Sequence, residues 1–163
     1  MNLFKYILWL LLAVILQVLL FNHLSLFGGI VMIYMVALLK MPVEFNRVLQ
    51  ILIGFMTGLI IDIFCNTLGM HALTAVTVMF FREPILHLYN NDPEFKVGTV
   101  CLSRIGLSSF MRYALTVLGM HCALLYVIEA FTLFNFLLLV IKIVVSLLLT
   151  FAFTMALEFA TDK

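Results

Sequence analysis

Four ionisable side chains lie within long apolar runs of this sequence or directly at their end, where a charge is costly. They are Asp62, Arg112, Lys142 and Glu158. Ionisable groups at such positions typically form charge pairs, proton relays or ligand contacts, so each one indicates a functional site. Matching their depths along helices that rise about 1.5 Å per residue predicts two intramembrane pairs: Asp62 with Lys142, and Arg112 with Glu158.

The same residues lack the spacing that catalysis requires. The histidines form no H-E-x-x-H or i,i+4 pair, and the sequence has no G-x-S-x-G, phosphate-binding loop or dinucleotide fingerprint. We therefore expect no enzyme, no cofactor and no metal site. We expect His71 and His121 to share one end of the bundle as buried, hydrogen-bonded side chains. The three cysteines show no C-x-x-C spacing and are interpreted as small buried thiols.

Polar and small residues recur at every fourth position in three apolar runs, and on a helix this spacing makes one ridge. The first ridge includes the pattern GFMTG, in which Gly54 and Gly58 allow close helix approach, followed by Asp62. Three interpretations remain open: packing inside a bundle, a face for a partner protein, or the wall of a ligand cavity. The ridges are Gln50, Gly54, Gly58, Asp62 and Asn66; Arg104, Ser108, Arg112 and Thr116; Lys142, Ser146, Thr150, Thr154 and Glu158.

Composition indicates that these ridges belong to membrane helices. Hydrophobic residues make up 66% of the 163 residues and charged residues 10%, against roughly 25% charged in a soluble domain. A net charge of +1 gives no reason to expect nucleic acid as a partner, and the lipid bilayer is the expected surrounding. The apolar runs predict an all-α integral membrane protein with one domain over residues 1–163 and six transmembrane helices, at about 3–21, 26–39, 48–65, 69–81, 105–128 and 134–157. The second run is short, and two crossings with a tight turn fit it better than a re-entrant segment.

Lysine and arginine set the expected orientation. Positive residues concentrate in cytoplasmic loops. The lysines and arginines outside the apolar runs or at their ends fall at the N-terminus, in the second and fourth loops and at the C-terminus, so we predict that both termini are cytoplasmic. They are Lys5, Lys40, Arg47, Arg82, Lys96, Arg104 and Lys163.

The stretch from Gly54 to Leu73, GFMTGLIIDIFCNTLGMHAL, resembles the rod shape-determining protein MreD family. The resemblance lies in a glycine pair, then GLIID, a short break, and LG before a helix start of small residues. Gln17 late in the first run and the Gly28-Gly29 turn agree with it. Members of that family often carry Pro-Asp near the start of the second span, where this chain reads GGIVMIY.

The resemblance implies a non-enzymatic scaffold of the cell-elongation (rod) complex in the bacterial inner membrane, involved in cell shape and lateral cell-wall synthesis. Its partners would be an MreC-like periplasmic coiled-coil protein and, indirectly, MreB and the elongation wall synthases. Gly54, Gly58, Asp62 and Gly69 would form a helix-packing or partner interface. An alternative stays open, because MreD resembles the six-helix substrate-binding components of vitamin transporters in size and hydropathy layout. This protein would then bind a small molecule.

Overall fold

A computed structural model describes residues 3–21, 25–26, 28–90, 95, 98–130 and 135–161 of the chain. This part of the chain contains seven α helices and one small hairpin. The elements in chain order are α1 (Leu3–Leu16), continued by a π-helical turn (Gln17–Phe21), β1 (Ser25–Leu26), β2 (Gly29–Ile30), α2 (Ile33–Leu39), α3 (Arg47–Cys65), α4 (Met70–Tyr89), α5 (Leu102–Ile105), α6 (Leu107–Ala130) and α7 (Phe136–Thr161).

Within the part of the chain that the structure describes, four helices are long and apolar enough to cross a membrane. They cover Phe4–Phe21, Arg47–Cys65, Leu107–Ala130 and Phe136–Thr161, and they agree closely with four of the six predicted runs. Large apolar side chains point outward along them, such as Phe4, Leu137 and Leu148, each more than half exposed. The chain is therefore a helical membrane protein, as its composition predicts. Lys96 and Lys163, which the orientation argument uses, lie outside the described residues.

The run from 26 to 39 is not the continuous second helix that hydropathy predicts. β1 pairs antiparallel with β2, residues 31 and 32 have no regular structure, and α2 has only seven residues. A helix of that length rises about 10 Å, which is a third of the roughly 30 Å hydrocarbon core. Gly28, at φ +80°, turns the chain into β2. Hydropathy reports apolar character, and this segment is apolar because it is buried in the protein.

α2 is the centre of the fold. All seven of its side chains are at most 5% exposed. It packs against α1, α4, α6 and α7, while α3 packs on the outer side of α4. Tyr6 on α1 is fully buried and donates a hydrogen bond from its hydroxyl to the Ala37 carbonyl at 3.2 Å. Helices that are hydrophobic on all sides belong in such an interior.

α4 is longer than the predicted run 69–81, because it continues through Pro84 to Tyr89. A proline inside a helix leaves the carbonyl four residues earlier without its usual donor. That carbonyl belongs to Phe80, and it accepts a hydrogen bond from Arg47 Nη2 at 2.8 Å. The Arg47 guanidinium also lies 4.1 Å from the centroid of the Phe80 ring. The contact with Arg47 explains why the helix tolerates the proline. Because α4 extends to Tyr89, Arg82 lies in a helix and not in the predicted loop.

Candidate functional site

Asp62 caps the first turn of α4. Its Oδ1 accepts a hydrogen bond from the His71 backbone N–H at 3.0 Å, and its Oδ2 accepts one from Ala72 N–H at 2.8 Å. The Thr67 hydroxyl donates to Oδ1 as well, at 2.5 Å. The first N–H groups of a helix have no partner within it, and the positive end of the helix dipole favours a carboxylate. The carboxylate of Asp62, which is only 3% exposed, is therefore stabilised by hydrogen bonds from a helix end, and no basic side chain among the described residues forms an ion pair with it.

The α3–α4 connection explains why the cap comes from a distant side chain. The residue in the N-cap position of α4 is Gly69, which has φ +78° and no side chain to donate or accept. Asn66 ends α3 in the left-handed conformation at φ 54°. Nothing lies within 4 Å of the position that a Gly69 Cβ would occupy. Gly69 is therefore not the packing contact that the sequence predicts, and its φ angle is the reason for glycine there.

Gly54 and Gly58 pack against α4 of the same chain. A Cβ on Gly58 would lie 2.5 Å from Ala72 Cα, and one on Gly54 would lie 2.6 Å from Met79 Cγ. Neither distance leaves room for a methyl group. The glycine ridge is thus an internal helix contact of the α3–α4 hairpin. A bulky residue at position 58 is expected to lower protein accumulation, rather than to leave it normal as a partner face would require.

The predicted pair of Asp62 and Lys142 is wrong. Lys142 Nζ instead lies 2.8 Å from Glu129 Oε1 on α6. Asp62 is on the side of α3 that meets α4, whereas α7, which carries Lys142, packs against α6, α2 and β2. Depth along a span says nothing about position around the bundle, and this is why depth matching failed.

The second predicted pair, Arg112 with Glu158, is also wrong. Glu158 Oε2 lies 2.6 Å from Lys40 Nζ, and Glu158 Oε1 accepts a hydrogen bond from Leu102 N–H at 2.8 Å. Glu158 is 1% exposed. Arg112 is exposed on α6, and among the described residues no ion pair includes it. Lys40 ends the short α2 and is placed beside α7 by the packing of those two helices.

The polar ridge of α7 supports the irregular chain before α2. Ser146 Oγ accepts a hydrogen bond from Ile30 N–H at 2.7 Å, and Thr150 Oγ1 accepts one from Met32 N–H at 3.1 Å. Gln17, in the π-helical turn, accepts from Ile33 N–H at 2.7 Å. Non-helical backbone at membrane depth persists only where its polar groups find partners. For α7 the packing interpretation of the ridge is therefore correct. By contrast, the ridge that begins at Arg104 is exposed at Arg104 on α5 and at Ser108 and Arg112 on α6.

Arg82 binds the backbone at the C-terminal end of α2, and the sequence analysis did not predict this role. Arg82 is only 1% exposed. Its guanidinium donates hydrogen bonds to Gln50 Oε1 at 2.8 Å and to the carbonyls of Leu39 and Met41. Tyr113 also donates its hydroxyl to the Leu39 carbonyl, at 3.1 Å. A cation at the last carbonyls of a helix is favourable. The sequence did contain a signal for this role: apolar residues continue at helical spacing beyond Pro84, which indicates that the helix carrying Arg82 extends past the proline.

Tyr34 brings two histidines together in the core. Its hydroxyl lies 2.9 Å from His71 Nδ1 on α4 and 2.6 Å from His121 Nε2 on α6. The expectation that His71 and His121 share one end as hydrogen-bonded side chains is correct, but only His121 is fully buried, while His71 is half-buried. The tyrosine that joins them was not anticipated, because it lies in the run whose structure hydropathy misjudged.

A cavity of about 450 Å³ opens beside this cluster, within the size range of ligand pockets, about 300–1,000 Å³. His71, Thr67, Gln17 and Tyr126 give it polar groups, and Glu129 also lines it. The rest of the lining is mainly apolar and includes Val18, Met32, Phe64 and Leu125. No group of three or more potential metal ligands occurs among the residues that the structure describes.

Comparison with protein-family models, curated proteins and solved structures found no match to this chain.

Proposed function

We propose that this protein is a non-enzymatic scaffold of the cell-elongation complex in a bacterial inner membrane, acting in cell shape and lateral wall synthesis. The observation that carries the proposal is the Asp62 cap together with the Gly58–Ala72 contact. In the MreD-like stretch Gly54 to Leu73, the motif residues hold α3 against α4, and the Asp62 carboxylate is committed to backbone N–H groups of α4. A rigid hairpin whose carboxylate is committed to helix capping suits a scaffold.

The proposed topology has six crossings with both termini in the cytoplasm. The four long helices supply four of them. α4 has 20 residues, enough for a crossing at about 1.5 Å per residue. The chain from Ile30, beside Ser146, to Lys40, beside Glu158, runs along α7 and would supply the last. In a cysteine-free background, periplasmic labelling should reach Glu129→Cys and miss Glu44→Cys. The reverse pattern would refute this orientation.

The exposed polar stripe of α5 and α6, defined as Arg104 on α5 together with Ser108 and Arg112 on α6, is the surface that we assign to the partner. The corresponding ridges on α3 and α7 are buried in the bundle except at Asn66 and Lys142, whereas this stripe faces outward. An MreC-like membrane protein is the proposed partner there. Arg112→Leu should leave accumulation normal and reduce co-purification with that partner, while His87→Leu, at another exposed position, should change neither.

Depletion in a rod-shaped host tests the function as a whole. Loss of the protein should give rounded, swelling cells that lyse, because elongation fails while division continues. Normal cell shape after depletion would refute the scaffold.

The cavity beside His71 favours a second candidate, a vitamin-type binding component of a transporter. For that candidate, depletion should leave shape unchanged and create a requirement for one small nutrient.

A further inference from the structure

The His71 ring has one nitrogen committed to the core and one available to the cavity. Nδ1 bonds to the Tyr34 hydroxyl, and the ring lines the cavity of about 450 Å³. No described residue forms a hydrogen bond with Nε2. A half-buried ring without a partner for this nitrogen among the described residues, at the wall of a pocket, offers a contact point for a ligand.

Tyr34 couples the proton positions of the two histidines. A hydroxyl carries one proton, so with both rings neutral it donates to one ring nitrogen and accepts from the other. If Tyr34 donates to His121 Nε2, the proton of His121 is on Nδ1, a buried atom with no partner among the described residues. If it donates to His71 Nδ1, the proton of His71 is on Nε2.

The second arrangement is the favoured one. An orphaned buried N–H group is rare in folded proteins, and the first arrangement would create one at His121 Nδ1. In the second, His121 donates from Nε2 to Tyr34, and Tyr34 donates to His71. The hydrogen-bond chain therefore presents an N–H donor, His71 Nε2–H, to the cavity.

The geometry points to a binding site in this cavity for a neutral molecule with an apolar body and a carbonyl oxygen, which accepts a hydrogen bond from His71 Nε2. The apolar part of the lining, Val18, Met32, Phe64 and Leu125, makes burial of an ion costly. Either a lipid-soluble carbonyl compound or the ester group of a bilayer lipid has this chemistry. The inference goes beyond the scaffold function and does not depend on it.

A matched pair of probes tests the site. The full-length protein is placed in nanodiscs of ether-linked phosphatidylcholine, which lacks ester carbonyls, and titrated with 1-indanone and with indane. We expect 1-indanone to bind about two- to tenfold more tightly than indane, the range for one neutral hydrogen bond. His71→Phe should abolish the difference. His87→Phe should keep it, because His87 is exposed on the same helix and outside the cavity.

Equal affinity for the two probes, or a difference that persists in His71→Phe, would overturn the proposal. Repeating the titration in ester-linked phosphatidylcholine separates the two sources. Weaker binding of both probes by the same factor there would identify lipid esters as the occupant, because a competitor raises the apparent Kd of each probe equally, and unchanged affinities would point to a free carbonyl compound instead.

Nitrogen-15 spectra of the wild-type protein provide a second test that needs no variant to fold. His71 should be the tautomer protonated at Nε2, and His121 should be protonated at Nε2 as well. His71 protonated at Nδ1 alone would remove the donor from the cavity and reject the site.

Discussion

Replacing Asp62 should destabilise the α3–α4 hairpin by an amount that its contacts allow us to work out. Asp62→Ala leaves the Ala72 N–H without an acceptor at a residue that is 4% exposed. An unpaired buried donor costs about 1–3 kcal/mol. Loss of the remaining cap bonds at the positive helix end adds about 1 kcal/mol. We therefore expect a total loss of about 2–4 kcal/mol.

Unfolding in detergent measures this loss. At about 2–4 °C per kcal/mol for a chain of this size, Tm should fall by roughly 4–16 °C. Asp62→Asn keeps one acceptor oxygen and turns an amide NH2 towards the other N–H, so it should lose about 1–3 kcal/mol. Hydrogen exchange should accelerate first at the amides of His71 and Ala72.

Double-mutant cycles distinguish the cap from an ion pair. Asp62→Ala combined with Thr67→Val should be non-additive, because the two side chains share a hydrogen bond. Asp62→Ala combined with Lys142→Ala should be additive within about 0.3–0.5 kcal/mol. Coupling of Asp62 to Lys142, together with additivity towards Thr67, would show that the carboxylate is held by a charge, and the reasoning from the helix cap would be refuted.

Three further predictions concern the remaining contacts, each measured as the free energy of unfolding in detergent. Gly58→Ala should cost about 1–3 kcal/mol because its Cβ would overlap α4, whereas Gly119→Ala, which meets only ordinary contacts at 3.8 Å, should be neutral or stabilising; equal effects would contradict the internal packing of Gly58. Lys40→Ala should cost about 3–5 kcal/mol because it leaves a buried carboxylate unpaired, while Lys142→Ala breaks an exposed pair and should cost at most about 1 kcal/mol; the opposite ranking would be incompatible with these burials. Thr150→Val should cost about 1–3 kcal/mol by leaving a backbone N–H unpaired before α2, and no loss would mean that this N–H has another acceptor.

The sequence determined the parts of this protein that depend on local chemistry. Long apolar runs with few charges fix α1, α3, α6 and α7, because a helix satisfies its own backbone within one segment. The four-residue spacing of Gly54, Gly58 and Asp62 placed them on one close-packing face, and that face does pack. The placement of His71 and His121 at one end of the bundle followed from the order of the spans.

Only the tertiary structure decided which groups meet across the bundle. Depth along a span is one coordinate, and position around the bundle is a second that no spacing records. Asp62 therefore faces a helix end instead of Lys142, and Glu158 faces Lys40. The same limit hid the break before α2, since an apolar segment buried in protein and one buried in lipid have the same hydropathy. The break persists because Gln17, Ser146 and Thr150 bring acceptors to its N–H groups from other helices.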